Sequence, residues 1–278
     1  MRDNSKEKLI KKEDLEEYLS TLQLSGVTER HIYNINLALT KFLEGIGYCI
    51  EKKATIEFLK NLQNSCSVSY YRKQLYQIKK FLEYYNIVWC SSIKAPKDPI
   101  YTAKRISDED IIQALSFFDK DKFKLRYKAV ICLCGDSGMR PEELYQLREC
   151  DIDLEKNTVF INHKPEIGQT TKTKQSRISF FTDTTKKILI DYLEFYNNGS
   201  GLKNLFGKSD IQRAFRKSPI RVKQLRKYFS QRWTRNNGNY QVKETLMGHS
   251  LRKSIDSTHY CKLSDEELKK VYDEVMNS

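Results

Sequence analysis

The stretch Lys94-Ala95-Pro96-Lys97-Asp98-Pro99 does most to limit how this chain can fold. Two prolines three residues apart remove backbone donors and push their preceding residues out of the helical region, so no helix can run through the segment. Between Ile93 and Ile106 there is no apolar period, and Lys94, Lys97, Lys104 and Arg105 face one acid, Asp98. The segment reads as a basic linker over 93–106. It divides the 278 residues into two parts, each long enough for its own core.

The first part, 1–92, reads as helices throughout. Leu15, Tyr18, Leu19 and Leu22 follow the spacing of one helix face. Thr28 stands where a second helix can begin, with Ile32, Ile35, Leu39 and Phe42 along one side. A third helix is expected from about Thr55 to Gln63. A fourth runs from about Ser69 to Tyr85, with Tyr71, Leu75, Ile78, Leu82 and Tyr85 inward. Arg72 and Lys73 recur two turns later as Lys79 and Lys80, with no acid before Glu83. That stripe is either a solvated face or a row of phosphate contacts.

The second part, 107–278, changes period. Ser107-Asp108-Glu109-Asp110 is a helix start with acids where the helix dipole favours them. A buried helix is expected around Tyr127–Gly135, and Pro141 suits the first position of the next, which puts Arg140 at a helix N-terminus. Thr158–Ile161 and Arg177–Phe181 alternate as strands, joined by a polar segment ending Thr171-Lys172-Thr173-Lys174-Gln175-Ser176. Helices resume at Asp183–Tyr196. The expected fold is therefore α+β and mostly helical, with a small antiparallel sheet carrying a lysine-bearing loop.

Charge narrows the partner. The chain carries a formal +13. Residues 1–106 hold 18 Lys/Arg against 12 Asp/Glu, and the remainder 31 against 24, so both parts are basic. A double-stranded nucleic acid held between two basic parts fits this better than a basic tail on a neutral enzyme. From Lys203 to Arg235 eleven cations stand against one acid, Asp210, too lopsided for a self-compensating surface. No apolar run approaches the roughly 18 residues a membrane span requires, and the charged N-terminus lacks a signal-peptide core, so a soluble cytoplasmic protein without membrane contact is expected. Seven cysteines without a C-x-x-C pair support neither a metal site nor a full disulfide framework, and they are read as reduced core residues.

The residues that suit chemistry are spread along the second part. Arg140 precedes Pro141-Glu142-Glu143-Leu144; Lys223 and Arg226 stand three apart; Leu246-Met247-Gly248-His249-Ser250 is followed by Ser257-Thr258-His259-Tyr260. Cleaving a phosphodiester without hydrolysis needs a nucleophile that can hold the phosphoryl group and return it, and a tyrosine hydroxyl meets that need. Arginine forks suit the non-bridging oxygens, and a loop lysine can protonate the departing oxygen. No cofactor or metal is required.

In this order and spacing the segments resemble the boxes of the tyrosine recombinase, or phage integrase, family. Gly138-Met139-Arg140-Pro141-Glu142-Glu143-Leu144-Tyr145-Gln146-Leu147 is similar to its first arginine box, Leu225-Arg226-Lys227-Tyr228-Phe229 with Lys223 to its second, and the Gly248-His249 and Thr258-His259-Tyr260 segments to its histidine and nucleophile regions. The resemblance implies a helical core-binding domain followed by a catalytic domain. Arg140 and Arg226 would clamp the scissile phosphate, His249 would assist, and Tyr260 would form a 3′-phosphotyrosine link. Lys172, with Lys174 as the alternative, would protonate the leaving 5′-hydroxyl, and Glu143 would brace the arginines. Lys223 stands where most members have histidine, which resembles the integrases of archaeal viruses and plasmids. Arg221, Lys227, Arg232 and Arg235 would touch the DNA backbone. The resemblance also implies a tetramer acting through a four-way (Holliday) junction. The terminal helix opening at Ser264-Asp265-Glu266-Glu267 is expected to pack on a neighbouring subunit, its other reading being its own domain. A type IB topoisomerase-like enzyme and a non-catalytic DNA-binding protein are the alternatives.

Overall fold

The structure, a computed structural model, describes residues 8–98, 100, 102–197, 204–249 and 263–277. Tyr260, His259 and Cys261 therefore lie outside the described residues. The chain divides into two compact units, residues 1–102 and 103–278.

The first unit is a helical cluster: α1 (Lys12–Leu24), α2 (Glu29–Gly45), α3 (Lys52–Ser65) and α4 (Val68–Tyr84). A two-residue antiparallel pair, β1 (Lys8–Leu9) with β2 (Cys49–Ile50), ties its start to the turn after α2. The apolar stripes meet in one core, with Leu39, Phe42, Leu43, Phe81 and Leu82 fully enclosed. Thr28 sits at the N-cap of α2, but only its carbonyl serves, accepting from the His31 and Ile32 amides. Ser67 caps α4 with its side chain. The third helix is longer than its apolar residues suggested, because Lys52 and Lys53 extend it on the solvent side.

The proline segment is not loose where it leaves this unit. Arg72 Nη1 donates to the Pro96 carbonyl and its Nε pairs with Asp98 at 3.2 Å. Lys79 Nζ donates to the carbonyls of Ser91 and Ile93 at 3.0 and 3.1 Å. Half of the basic stripe on α4 thus straps residues 91–98 to the helix. Lys80 pairs with Glu83, and Lys73 is exposed.

The second unit is built around α6 (Lys124–Ser137), buried on nearly every side and packed between α8 (Asp183–Asn197) and α10 (Val222–Arg235). Ahead of it, α5 (Asp108–Phe117) starts in a reciprocal cap between Ser107 and Asp110. The short α7 (Pro141–Leu144) follows Gly138. The sheet has three strands: β3 (Ile152–Asp153) pairs with β4 (Thr158–Ile161), and β4 with β5 (Arg177–Phe180), antiparallel throughout, with Thr158 opposite Phe180. Two residues are too few to show an alternation, so β3 has no sequence signature. After α9 (Lys208–Phe215) and α10 come α11 (Tyr240–Met247) and α12 (Asp265–Met276).

In the single chain α12 takes the second of its two expected placements and docks on its own unit. Leu268, Tyr272, Val275 and Met276 bury against Phe180, Phe229, Trp233 and Leu246. The carbonyls of Val275 and Met276, which a helix end leaves unpaired, accept from Asn236 and Arg232. The cysteines are not all core residues: Cys150 is exposed at the end of the turn after α7, while Cys90 and Cys134 are buried. Among the described residues no helix is long and apolar enough to cross a membrane, and no cluster of His, Cys, Asp and Glu has the makings of a metal site.

Candidate active site

Two helix ends create the site. α6 and α11 each finish in a left-handed glycine, Gly138 at φ +62° and Gly248 at φ +66°. Such turns pair carbonyls of the last helical turn and leave the glycines' own carbonyls to outside donors. Arginines take them crosswise: Arg226 Nη1 donates to Gly138 O at 2.6 Å, and Arg140 Nη2 to Gly248 O at 3.2 Å. Arg226 also reaches Met247 O at 2.8 Å. The two boxes and the glycine–histidine turn are thereby drawn into one cluster.

Glu143 is its keystone. The side chain, 2% exposed, accepts from Arg140 Nη1 at 3.0 Å and from the Arg140 amide at 2.7 Å. On its other side Arg177, the first residue of β5, donates Nη1 and Nη2 to the two carboxylate oxygens, and its Nε to Leu246 O at 2.9 Å. Burial by itself would raise the Glu143 carboxyl, yet Arg177 and Arg140 bring it below the usual glutamate range. Burial, together with the charges of Arg140 and Arg177, pushes the Arg226 guanidinium down to about 10, still cationic at neutral pH. Arg140 and Arg177 thus disfavour the charged state of Arg226, and an anion placed beside it relieves that repulsion.

His249 completes the described cluster. Arg226 Nη2 lies 2.8 Å from its Nε2, and its Nδ1 lies 2.8 Å from Glu244 Oε2. The structure thus brings together Arg140, Arg226 and His249, with Glu143 between Arg140 and Arg177. Lys223 is exposed one turn before Arg226. Lys172 and Lys174 are exposed in the loop between β4 and β5, and among the described residues none of these three lysines bonds to the cluster. That loop is itself ordered by bonds. Gln169 Nε2 reaches Asp151 at 2.6 Å, and a turn closes from Lys174 N to Thr171 O, with Lys174 at φ +55°.

Two cluster residues escaped the sequence reading. Arg177 appeared only as a strand opener, and Glu244 was not singled out; nothing in the position of Arg177 announces a partner 34 residues away. Of the expected backbone contacts, Arg221 is exposed at the start of α10 and Lys227 is half-buried. Arg232 faces inward, toward Asp136 at 3.4 Å and Met276 O at 2.6 Å. Arg235 likewise holds Asp108 and Ile106 O. In the DNA-free chain each is thus paired along the side of α10 that meets α5 or α12.

Comparison with known proteins agrees with this arrangement. The sequence pattern of the phage integrase family matches residues 104–265, more than half of the chain. Tyrosine recombinase XerA of Pyrococcus horikoshii is 23% identical over 253 residues, covering 90% of this chain and 84% of that protein. XerA of Saccharolobus solfataricus is 28% identical over 230 residues, covering 80% and 72%. Among solved structures, the Tn1549 transposon integrase in complex with transposon right end DNA superposes with a TM-score of 0.66 at 14% identity, over 95% of this chain and 99% of that one, a likeness of fold. Both XerA relatives are archaeal. With the arginine boxes, the glycine–histidine turn and the family pattern all falling on one unit, the chain belongs to the phage integrase family of tyrosine recombinases.

Proposed function

We propose that this chain is a site-specific recombinase that cuts and rejoins double-stranded DNA through Tyr260. The observation that carries the reading is that Arg226 holds Gly138 O of the first arginine box while Arg140 holds Gly248 O of the glycine–histidine turn, with Arg140 braced by the buried Glu143 carboxylate. It fixes two planar forks beside each other with positive charge in excess, which is what the non-bridging oxygens of a pentavalent phosphorus need. Relatives named as recombinases and a structural neighbour bound to transposon-end DNA support DNA as the partner.

In the reaction, the Tyr260 hydroxyl loses its proton and its oxygen bonds to phosphorus. The bond from phosphorus to the 5′-oxygen breaks, and that oxygen takes a proton from Lys172, with Lys174 the other candidate. Attack by a 5′-hydroxyl of the partner duplex reverses the sequence of bonds and releases Tyr260. Arg140 and Arg226 bind the phosphate, His249 assists, and Lys223 adds charge. Residues 1–92 serve as the core-binding domain, 107–278 as the catalytic domain, and four copies assemble on paired sites.

The test is a DNA duplex nicked near the cleavage point, so that the cut fragment diffuses away. Wild-type protein is expected to leave a denaturation-resistant adduct and Tyr260→Phe none. Adding a partner duplex is expected to give strand exchange; on a separate closed supercoiled plasmid, relaxation without exchange indicates a topoisomerase instead. Absence of any adduct on tightly bound DNA overturns the catalytic reading.

A further inference from the structure

The cluster contains one carboxylate to which the reaction above gives no part. Glu244 sits in the last turn of α11, its side chain 15% exposed, with Oε2 2.8 Å from His249 Nδ1. We propose that Glu244 is the positioning residue of His249: it holds the imidazole as the Nδ1–H tautomer, leaving Nε2 as the proton acceptor in a site otherwise built of donors.

The backbone makes the pairing. Gly248 N donates to Thr245 O and His249 N to Glu244 O, both at 2.9 Å, the two bonds of a Schellman turn. That turn places the residue after the glycine beside the residue five earlier. In most such turns the two side chains make an apolar contact; here they are an imidazole and a carboxylate. The tautomer follows from the partners. A guanidinium only donates, so Nε2 facing Arg226 Nη2 at 2.8 Å must offer its lone pair. The ring proton is then on Nδ1, and an ionised Glu244 can only accept it. The other charged groups facing this corner are Arg140, through Gly248 O, and Arg177, through Leu246 O, with Glu143 behind them.

When a phosphate takes the donors of Arg226, Nε2 is released. It accepts the Tyr260 hydroxyl proton as the bond from the tyrosine oxygen to phosphorus forms, while the bond to the 5′-oxygen breaks and that oxygen is protonated separately. The imidazolium so formed faces the Arg226 guanidinium, and the Glu244 carboxylate on its other side offsets its charge.

This inference rests on the recombinase reading for its consequence, but its first test does not. Nitrogen-15 shifts of the histidine rings in the DNA-free full chain, with His249 assigned from His249→Gln, are expected to show Nδ1 protonated and Nε2 bare. Glu244→Ala should lose that preference. A wild-type ring with bare Nδ1 overturns the proposal. In the nicked-duplex assay, Glu244→Gln is expected to slow adduct formation about 10- to 100-fold, with DNA affinity unchanged and partial rescue by Glu244→Asp. In a His249→Ala background the same substitution should change the rate less than about twofold. A Glu244→Gln enzyme as fast as wild type, or one slowed equally without His249, sinks the idea. If wild type forms no adduct, the recombinase reading fails while the ring measurement still decides the tautomer.

Discussion

Arg177 grips Glu143 through two parallel hydrogen bonds, Nη1 to Oε1 at 3.0 Å and Nη2 to Oε2 at 2.7 Å, with the carboxylate 2% and the guanidinium side chain 9% exposed. The pair joins β5 to α7 and presents Glu143 to Arg140. Breaking a buried pair by deleting one partner costs about 3–5 kcal/mol. Arg177→Ala is therefore expected to lower the melting temperature of the second unit by roughly 6–20 °C in calorimetry. Arg177→Lys keeps the charge, loses the fork, and should fall between.

Glu143 also gives the chain an acid sensitivity. Its carboxyl, which burial would raise, is held below the usual range by Arg177 and Arg140. The folded state therefore binds this proton less readily than the unfolded chain. Its stabilisation is complete above the unfolded value, about 4.3, and is lost as pH falls through the lower folded value. Thermal melts from pH 3 to 7 should show wild type losing stability steeply at the acid end. Glu143→Gln should start lower and fall less, the two curves converging on acidification.

The glycine turns tolerate no side chain. A Cβ on Gly248 would lie 2.8 Å from Cδ, Cζ and Nε of Arg177, and one on Gly138 would lie 2.4 Å from a ring carbon of Phe229. The left-handed backbone adds about 1–2 kcal/mol for any L residue. Gly248→Ala is expected to displace Arg177 and His249 together, cutting adduct formation at least tenfold at modest cost in urea stability. Gly138→Ala meets a fully buried ring and should mainly destabilise, by more than the backbone term alone.

The crowded guanidiniums should bind a simple oxyanion. Sulfate at about 100 times its dissociation constant would add about 2.7 kcal/mol, a rise of roughly 5–10 °C for a unit of this size. Sulfate also stabilises proteins generally by exclusion from their surface, so Arg226→Ala is the comparison. The variant should keep the general part and lose the rest. Equal sulfate responses in the two proteins would remove the anion site.

The two loop lysines can be separated chemically. A substrate whose leaving oxygen is replaced by sulfur departs as a thiolate, whose conjugate acid near 8.5 needs no donated proton. Lys172→Ala is expected to slow cleavage of ordinary DNA about 100- to 10,000-fold and to recover on the sulfur substrate. Lys174→Gly, which keeps the left-handed turn, should change little on either. The reverse pattern would make Lys174 the acid.

Much of this was legible in the residues. Stripes such as Leu39 and Phe42 on α2, or Leu75, Ile78 and Leu82 on α4, are buried where helical spacing puts them, because burial of one face is what makes a helix worth forming. Arg140, Arg226 and His249 stand together as their segments suggested. The basic stripe on α4 was less readable: its cations are real, but Arg72 and Lys79 hold carbonyls and a carboxylate of residues 91–98. Charge states an appetite for a partner and leaves the partner open.

What the sequence by itself determined was periodicity, helix starts and stops, the proline-marked division and the residue types of a phosphate site, because each depends on neighbours within a few positions. Only the tertiary structure decided which distant groups share a carboxylate. Arg177 of β5 meets Glu143 of α7 although 34 positions separate them. Glu244 turns toward His249 while Arg226 approaches from α10, and α12 finds its cover on Phe180 and Trp233 of the same unit. Apart from the local Glu244–His249 turn, these pairings follow from how elements far apart in the chain pack, and hydrogen-bond geometry at 2.7–3.0 Å has no counterpart in sequence spacing.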